Sequence, residues 1–164
     1  MTKLIGIIGG VSWESTALYY KLINQSIRSQ FGGLNSARLL ISSLNYAPIA
    51  ELEQQDNWGA VSDILVEAAQ SLEKAGSELL ILGCNTLHKV STAIEKSIQI
   101  PFIHIADAVG DVLVQKDIKK VGLLGTRFTM EDGFYAQRLL DNCKLEAMIP
   151  SLDERRSIDH IIYQ

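Results

Sequence analysis

Cysteine and proline are scarce, with 2 and 3 copies in 164 residues. Cys84 and Cys143 stand far apart, with no Cys-x-x-Cys and no Cys/His grouping at zinc spacing. Neither a disulfide framework nor a metal site is expected. Basic residues are not in surplus: 15 Lys+Arg face 19 Asp+Glu, a net charge of −4. A general nucleic-acid binder needs a basic face to displace counterions, so that class is disfavoured. No apolar run approaches the ~20 residues that cross a bilayer. The run Leu4–Val11 is short, and Ser12-Trp13-Glu14 follows it instead of a small-residue cleavage pattern. No membrane partner is expected, and the cytoplasm is the default location. What remains is an ordinary globular balance, 47% hydrophobic and 21% charged. A chain of this length buries close to ~70% of its unfolded surface and needs no covalent staple.

The hydrophobic pattern alternates between short apolar runs and helical spacing. Lys3–Ile8 reads as a strand stopped by Gly9-Gly10. A helix follows, with Ser12 as its cap, Glu14 in its first turn and Leu18, Leu22 and Ile23 on one face. Arg38–Leu44 reads as a second strand, broken by Asn45-Tyr46-Ala47-Pro48. Trp58–Ala75 is predicted helical and Glu78–Leu82 a third strand ending at Gly83-Cys84-Asn85-Thr86. A helix through about Ile98 and a fourth strand, Pro101–Ile105, complete the series. This alternation predicts an α/β fold: a parallel flavodoxin-like sheet with helices on both faces. Ligands of such sheets lie beyond the carboxyl ends of the strands, where Gly9–Ser12 and Gly83–Thr86 fall.

After a helix from Ala106, the chain repeats itself. Ile5-Gly6-Ile7-Ile8-Gly9-Gly10 is similar to Val121-Gly122-Leu123-Leu124-Gly125-Thr126. Thr129–Asp132 and Ser151–Glu154 are capping-box patterns. At the offset of the repeat, a counterpart of Cys84 falls beyond Gln164. The expected organisation is a first α/β domain over 1–100 and the opening part of a second, incomplete one over 101–164. Unfinished sheet edges and apolar helix faces point to self-association as a homodimer.

Gly9-Gly10 is neither a dinucleotide fingerprint nor a phosphate loop. It is a tight strand-to-helix turn, and its backbone N–H groups are also placed to meet an anion such as a carboxylate. Cys84 has two readings. A lone cysteine is often simply buried. At a strand's carboxyl end and a helix start, it is instead a thiol shifted toward thiolate. Asn85 and Thr86 supply amide and hydroxyl partners, His88 falls one turn later, and Lys89 adds positive charge. Thiolate and anion-binding groups suit removal of a proton beside a carboxylate; Cys-His nucleophilic catalysis is the other reading. Cys143, at the amino end of a strand, is read as structural. His104 is read as a satisfied core or cleft histidine, and His160 and Asp153–Arg156 as solvated. Trp13 and Trp58 are read as packing or interface anchors.

Together these segments resemble the aspartate/glutamate racemase family, cofactor-independent enzymes. The resemblance rests on Gly9-Gly10-Val11-Ser12-Trp13-Glu14-Ser15-Thr16, Tyr19-Tyr20, Gly32-Gly33-Leu34 and Cys84-Asn85-Thr86-Leu87-His88-Lys89. It continues through Pro101–Ala108, Gly122–Glu131 and Glu154-Arg155. It spans all 164 residues and about two-thirds of a family member. It implies two pseudo-symmetric α/β domains, each contributing one cysteine: one thiolate takes the α-proton and the other thiol returns a proton to the opposite face. On that basis Cys84 is the first of the pair, with no cofactor and no metal. Asn85 and Thr86 would hold the carboxylate and ammonium of a small amino-acid or dicarboxylate substrate, and Val11 would contact it through the turn. A substrate-contacting glutamine of the family falls on Glu53 here. The second cysteine's segment is absent, and Cys143 matches it in neither context nor position. The alternative is a non-catalytic chain, or a dicarboxylate-binding module, that keeps half of the cleft.

Overall fold

The structure is a computed structural model describing residues 2–163. By packing, the chain divides into two units, Met1–Cys84 with Val90–Ile103, and Asn85–Lys89 with His104–Gln164.

In the first unit four apolar segments form a parallel sheet: β1 (Leu4–Gly9), β2 (Arg38–Ser43), β3 (Leu79–Leu82) and β4 (Phe102–Ile103), in the order β2-β1-β3-β4. β1 is central. Ile7 pairs with Ile41 on one side and with Ile81 on the other. Helices α1 (Trp13–Phe31), α2 (Tyr46–Gln54), α3 (Trp58–Lys74) and α4 (Ser91–Ser97) connect or flank the strands. On α3, Val61, Leu65, Ala68, Ala69 and Leu72 are buried, the period of one helix face. They join Ile7, Ile8, Leu80, Leu82 and Ile94, all essentially without exposure. Each such Ile or Leu contributes roughly 1.5–3 kcal/mol of burial. Glu73, near the end of α3, accepts the Gln99 and Ile100 N–H groups at 2.6 and 3.0 Å, tying down the approach to β4.

The structure departs from the sequence pattern in places. Asn45–Pro48 ends β2 and also begins α2. The Asn45 side chain caps Ala47 N–H, and Pro48 is third in the helix, where no intrahelical N–H partner is needed. The expected helix after Cys84 starts as a 3₁₀ turn, Thr86–Val90, and only Ser91–Ser97 is α-helical. Trp13 opens α1 but is 68% exposed, so within this chain it anchors no core.

In the second unit α5 (Ile105–Gln115), α6 (Arg127–Glu131), α7 (Phe134–Cys143) and α8 (Leu152–Ile162) accompany a two-stranded parallel sheet, β5 (Lys120–Gly122) and β6 (Glu146–Met148). Its core is Ala106, Tyr135, Leu139 and Leu145. Asp107 on α5 receives a two-pronged hydrogen bond from Arg138 on α7, at 2.9 and 2.7 Å, and a third from Asn142. The Arg138 hydrogen bond holds the Asp107 carboxyl below its ordinary range. Thr126, not Thr129, caps α6, its hydroxyl accepting Thr129 N–H at 3.3 Å. The capping box of Ser151 and Glu154 is formed as the sequence predicts. Arg155 is less solvated than expected: it donates to Glu131 at 2.8 Å and to Pro150 O at 2.8 Å.

Candidate active site

In the order β2-β1-β3-β4 the chain leaves β1 toward one side and β3 toward the other. The crevice of such a sheet opens at the carboxyl ends of these two neighbours. The first unit places Val11 and Cys84 there, one after each strand. The Gly83 N–H donates to Ile8 O at 2.9 Å, so pairing with β1 runs to the residue before Cys84. Cys84 itself is half-buried.

The β1 turn is shaped by contacts that leave no room for side chains. Gly10 has φ +84°, and a Cβ there would collide with the Leu44 backbone. Its N–H donates to Thr16 Oγ1 at 2.9 Å, and that hydroxyl donates to Ser12 O at 3.0 Å. The Gly10 N–H, which the sequence offers to an anion, is thus already engaged. Val11 is buried directly after it, and Ser12 caps α1 by accepting Ser15 N–H at 3.2 Å. Glu53 stands on α2, 4% exposed, its Oε2 accepting the Tyr46 hydroxyl at 2.9 Å.

Asn85 and Thr86 follow Cys84 in the chain and pack with the second unit. Asn85 O accepts His88 N–H at 3.1 Å, which closes the 3₁₀ turn. The Thr86 hydroxyl is 2.8 Å from that of Thr126, which is 3.1 Å from that of Thr129. Thr86 and Thr129 are buried. Thr126 and Thr129 were not singled out by residue type. The repeat carries the signal, since Thr126 ends the β5 segment as Gly10 ends β1.

The histidines have structural tasks. His88 Nε2 accepts the Ile105 N–H at 3.2 Å, and His104 Nδ1 accepts the Ala106 N–H at 3.1 Å. Two imidazoles, 4.4 Å apart, thus satisfy the first two N–H groups of α5. Accepting at those nitrogens requires the neutral form. Burial, then His88 and Arg138, hold His104 down to about 3 against the opposing pull of Asp107. His104 therefore matches the satisfied core histidine expected from its apolar surroundings. Lys89 is ion-paired to Asp132 at 2.8 Å and lies 5.6 Å from the Phe128 ring centre, so its charge is compensated.

An acid-stability prediction follows from His104. Unfolded histidine protonates near ~6.5, whereas folded His104 stays neutral to about 3. As pH falls through that window, protons favour the unfolded chain by up to about 1.4 kcal/mol per unit from this residue; below it the loss levels off. His104→Asn keeps a capping acceptor without titrating. Urea midpoints measured from pH 7 to pH 4 should fall less steeply for the variant than for the parent; equal slopes would refute the assignment.

Sequence comparison matches the profile of Asp/Glu/hydantoin racemases to residues 8–163. The chain belongs to that family.

Among solved structures, an Asp/Glu-racemase-type protein from Yersinia pestis is 42% identical, with a TM-score of 0.93; the match covers 99% of this chain and 70% of that one. An aspartate racemase homologue from Pyrococcus horikoshii is 35% identical, with a TM-score of 0.83, covering 99% and 71%. The broad-specificity amino-acid racemase RacX of Bacillus subtilis is 23% identical over 140 residues. The racemase-family chain described here spans 85% of its own length in that match and 61% of the RacX length. Among the described residues no helix is long and apolar enough to cross a membrane. Among them, too, no three His, Cys, Asp or Glu side chains group as a metal ion would require.

The other cysteine of this racemase-family chain sits in a different setting. Cys143 ends α7 against Gly110 of α5, where a Cβ on the glycine would collide with its sulfur. Burial and the carboxylates of Asp111 and Asp107 push its thiol up.

Proposed function

We propose that this chain carries one face of a cofactor-independent amino-acid racemase site, with aspartate or glutamate as the preferred substrate class. The observation that carries the reading is the placement of Cys84 at the carboxyl end of β3, beside the β1 turn with Val11, in a chain of the racemase family. The Cys84 thiolate takes the α-proton and becomes a thiol, and the electron pair passes into the substrate carboxylate as an enediolate. Asn85 and Thr86 hold the carboxylate and ammonium, with the Thr86 hydroxyl oriented by Thr126. Val11 borders the substrate from the turn. Glu53 departs from the glutamine that the family carries at a substrate-contacting position, and a carboxylate there works against a substrate side-chain carboxylate, so this position alters the side-chain preference and does not support it. Inversion requires a proton from the opposite face. Cys143, packed against Gly110, is not assigned that role.

Thiol labelling tests the assignment. Iodoacetamide below pH 8 should modify Cys84 well before Cys143, because thiolate is the reacting form. Aspartate or glutamate should protect Cys84 while leaving Cys143 unaffected. Equal labelling of both thiols, with no protection by either dicarboxylate, would favour the non-catalytic reading.

A further inference from the structure

Asn85 and Thr86, assigned to the substrate's carboxylate and ammonium, stand at the start of a five-residue 3₁₀ turn, Thr86–Val90. A turn of this kind has poor hydrogen-bond geometry and is too short to hold its own shape. Its position depends on what its side chains grip in the second unit, with which Asn85–Lys89 packs. The Thr86 hydroxyl meets that of Thr126 at 2.8 Å. His88 Nε2 accepts the Ile105 N–H, the first of α5, at 3.2 Å. Lys89 donates to Asp132, at the end of α6, at 2.8 Å.

These grips differ in weight. The Lys89–Asp132 pair is open to water on both sides, and such pairs contribute little. The Thr86 hydroxyl is itself one of the groups assigned to substrate, so it is not an independent anchor. His88 is 1% exposed. The first N–H groups of α5 have no partner within the helix. His104 takes that of Ala106, and His88 takes that of Ile105. Breaking the His88 bond strands a donor at a part-buried helix start, which costs more than the bond's own net worth. The same residue is tied to the substrate-holding segment, because the His88 backbone N–H donates to Asn85 O at 3.1 Å.

The geometry points to His88 as a positioning residue: its imidazole docks the Asn85–Thr86 turn on the start of α5 and so fixes the groups that receive the substrate's carboxylate and ammonium. This rests on the racemase reading of Asn85 and Thr86 and adds the group that holds them in place.

The test is protection of Cys84 by aspartate against iodoacetamide, followed by peptide mass spectrometry on the full chain. The alkylation rate with aspartate is divided by the rate without it, so a change in the thiol's own reactivity cancels. His88→Leu removes the acceptor, and the aspartate concentration giving half-protection should rise about tenfold, the scale of one lost buried hydrogen bond. His88→Gln keeps an acceptor near the Nε2 position and should stay within about twofold of the parent. Ile105→Pro removes the donor from the other side. The first position of a helix tolerates proline, and the backbone of the preceding His104 is already extended, as proline requires. This variant should reproduce the His88→Leu loss with the imidazole intact, and it decides the matter if His88→Leu folds poorly. Cys143, on α7 of the same unit, should react at the parent rate throughout. Parent-like protection in His88→Leu and Ile105→Pro would overturn the proposal. So would a loss in His88→Gln equal to that in His88→Leu, or faster Cys143 alkylation accompanying the loss, which would mark general loosening of the unit. A parent chain that neither aspartate nor glutamate protects would defeat the racemase reading and the His88 role with it; a protected parent with equally protected variants would defeat the His88 role alone.

Discussion

Cys84→Ser should abolish exchange of the substrate α-proton with solvent, and Cys143→Ala should leave that exchange intact. The α-proton of an amino acid is weakly acidic, so its removal depends on a base held at the carbon. A positioned general base typically contributes ~10²–10⁴ in rate. Serine is nearly isosteric with cysteine but does not ionise near neutral pH, so geometry is kept while the base is lost. The measurement is proton NMR of L- and D-aspartate and of L- and D-glutamate in deuterium oxide, following loss of the α-proton signal. Exchange confined to one enantiomer, without its mirror image appearing, is the expected signature of a single face. Exchange by Cys84→Ser at the parent rate would remove Cys84 from the mechanism. Full racemisation by the 164-residue chain would show that a further group delivers the opposing proton, and its persistence in Cys143→Ala would place that group elsewhere, such as on a second copy.

Gly10→Ala should cause the largest stability loss of any single methyl addition in the first unit. Two effects coincide there. At φ +84° an L side chain is strained, at roughly 1–2 kcal/mol. The added Cβ would also meet the Leu44 backbone, including its N at 2.5 Å. Backbone cannot rotate aside as a side-chain tip can, and overpacking of this kind adds typically ~1–3 kcal/mol. A loss of about 2–5 kcal/mol is expected, a large fraction of the ~5–15 kcal/mol that holds a domain. Gly33→Ala separates the two effects, since Gly33 has φ +58° with nothing within 4 Å of a Cβ. In urea titrations Gly33→Ala should show the strain alone and Gly10→Ala clearly more. Equal losses would mean that the Leu44 contact relaxes away. The turn also holds Val11, so aspartate protection of Cys84 should weaken in any Gly10→Ala chain that remains folded.

Much of this architecture is written locally. Apolar runs such as Ile5–Ile8 and Leu79–Leu82 predict strands buried on both faces, and their alternation with helical spacing predicts parallel order. Ser12 and the Ser151/Glu154 pair mark helix starts, because a cap needs only a side chain within three residues of the N–H groups it serves. Cys84 at a strand's carboxyl end, and the family resemblance of its neighbours, were equally legible.

Other features needed partners distant in sequence. Asn45-Tyr46-Ala47-Pro48 looks like a break, yet α2 forms, as Ile49 and Glu53 are buried on one of its faces. His88 and His104 give no local sign that they share the start of α5, since the distance between them closes only when the chain folds. The Thr86–Thr126 pair spans 40 residues and is set by packing within the second unit. Tyr19 reads in sequence as one of two adjacent tyrosines. Helix rotation turns it, not Tyr20, toward Gly83. Residue type and spacing determined the strands, the caps at Ser12 and Ser151 and the candidate base. The hydrogen-bond partners of that base's neighbours were decided only by tertiary packing, because side-chain direction depends on which helix face the sheet buries.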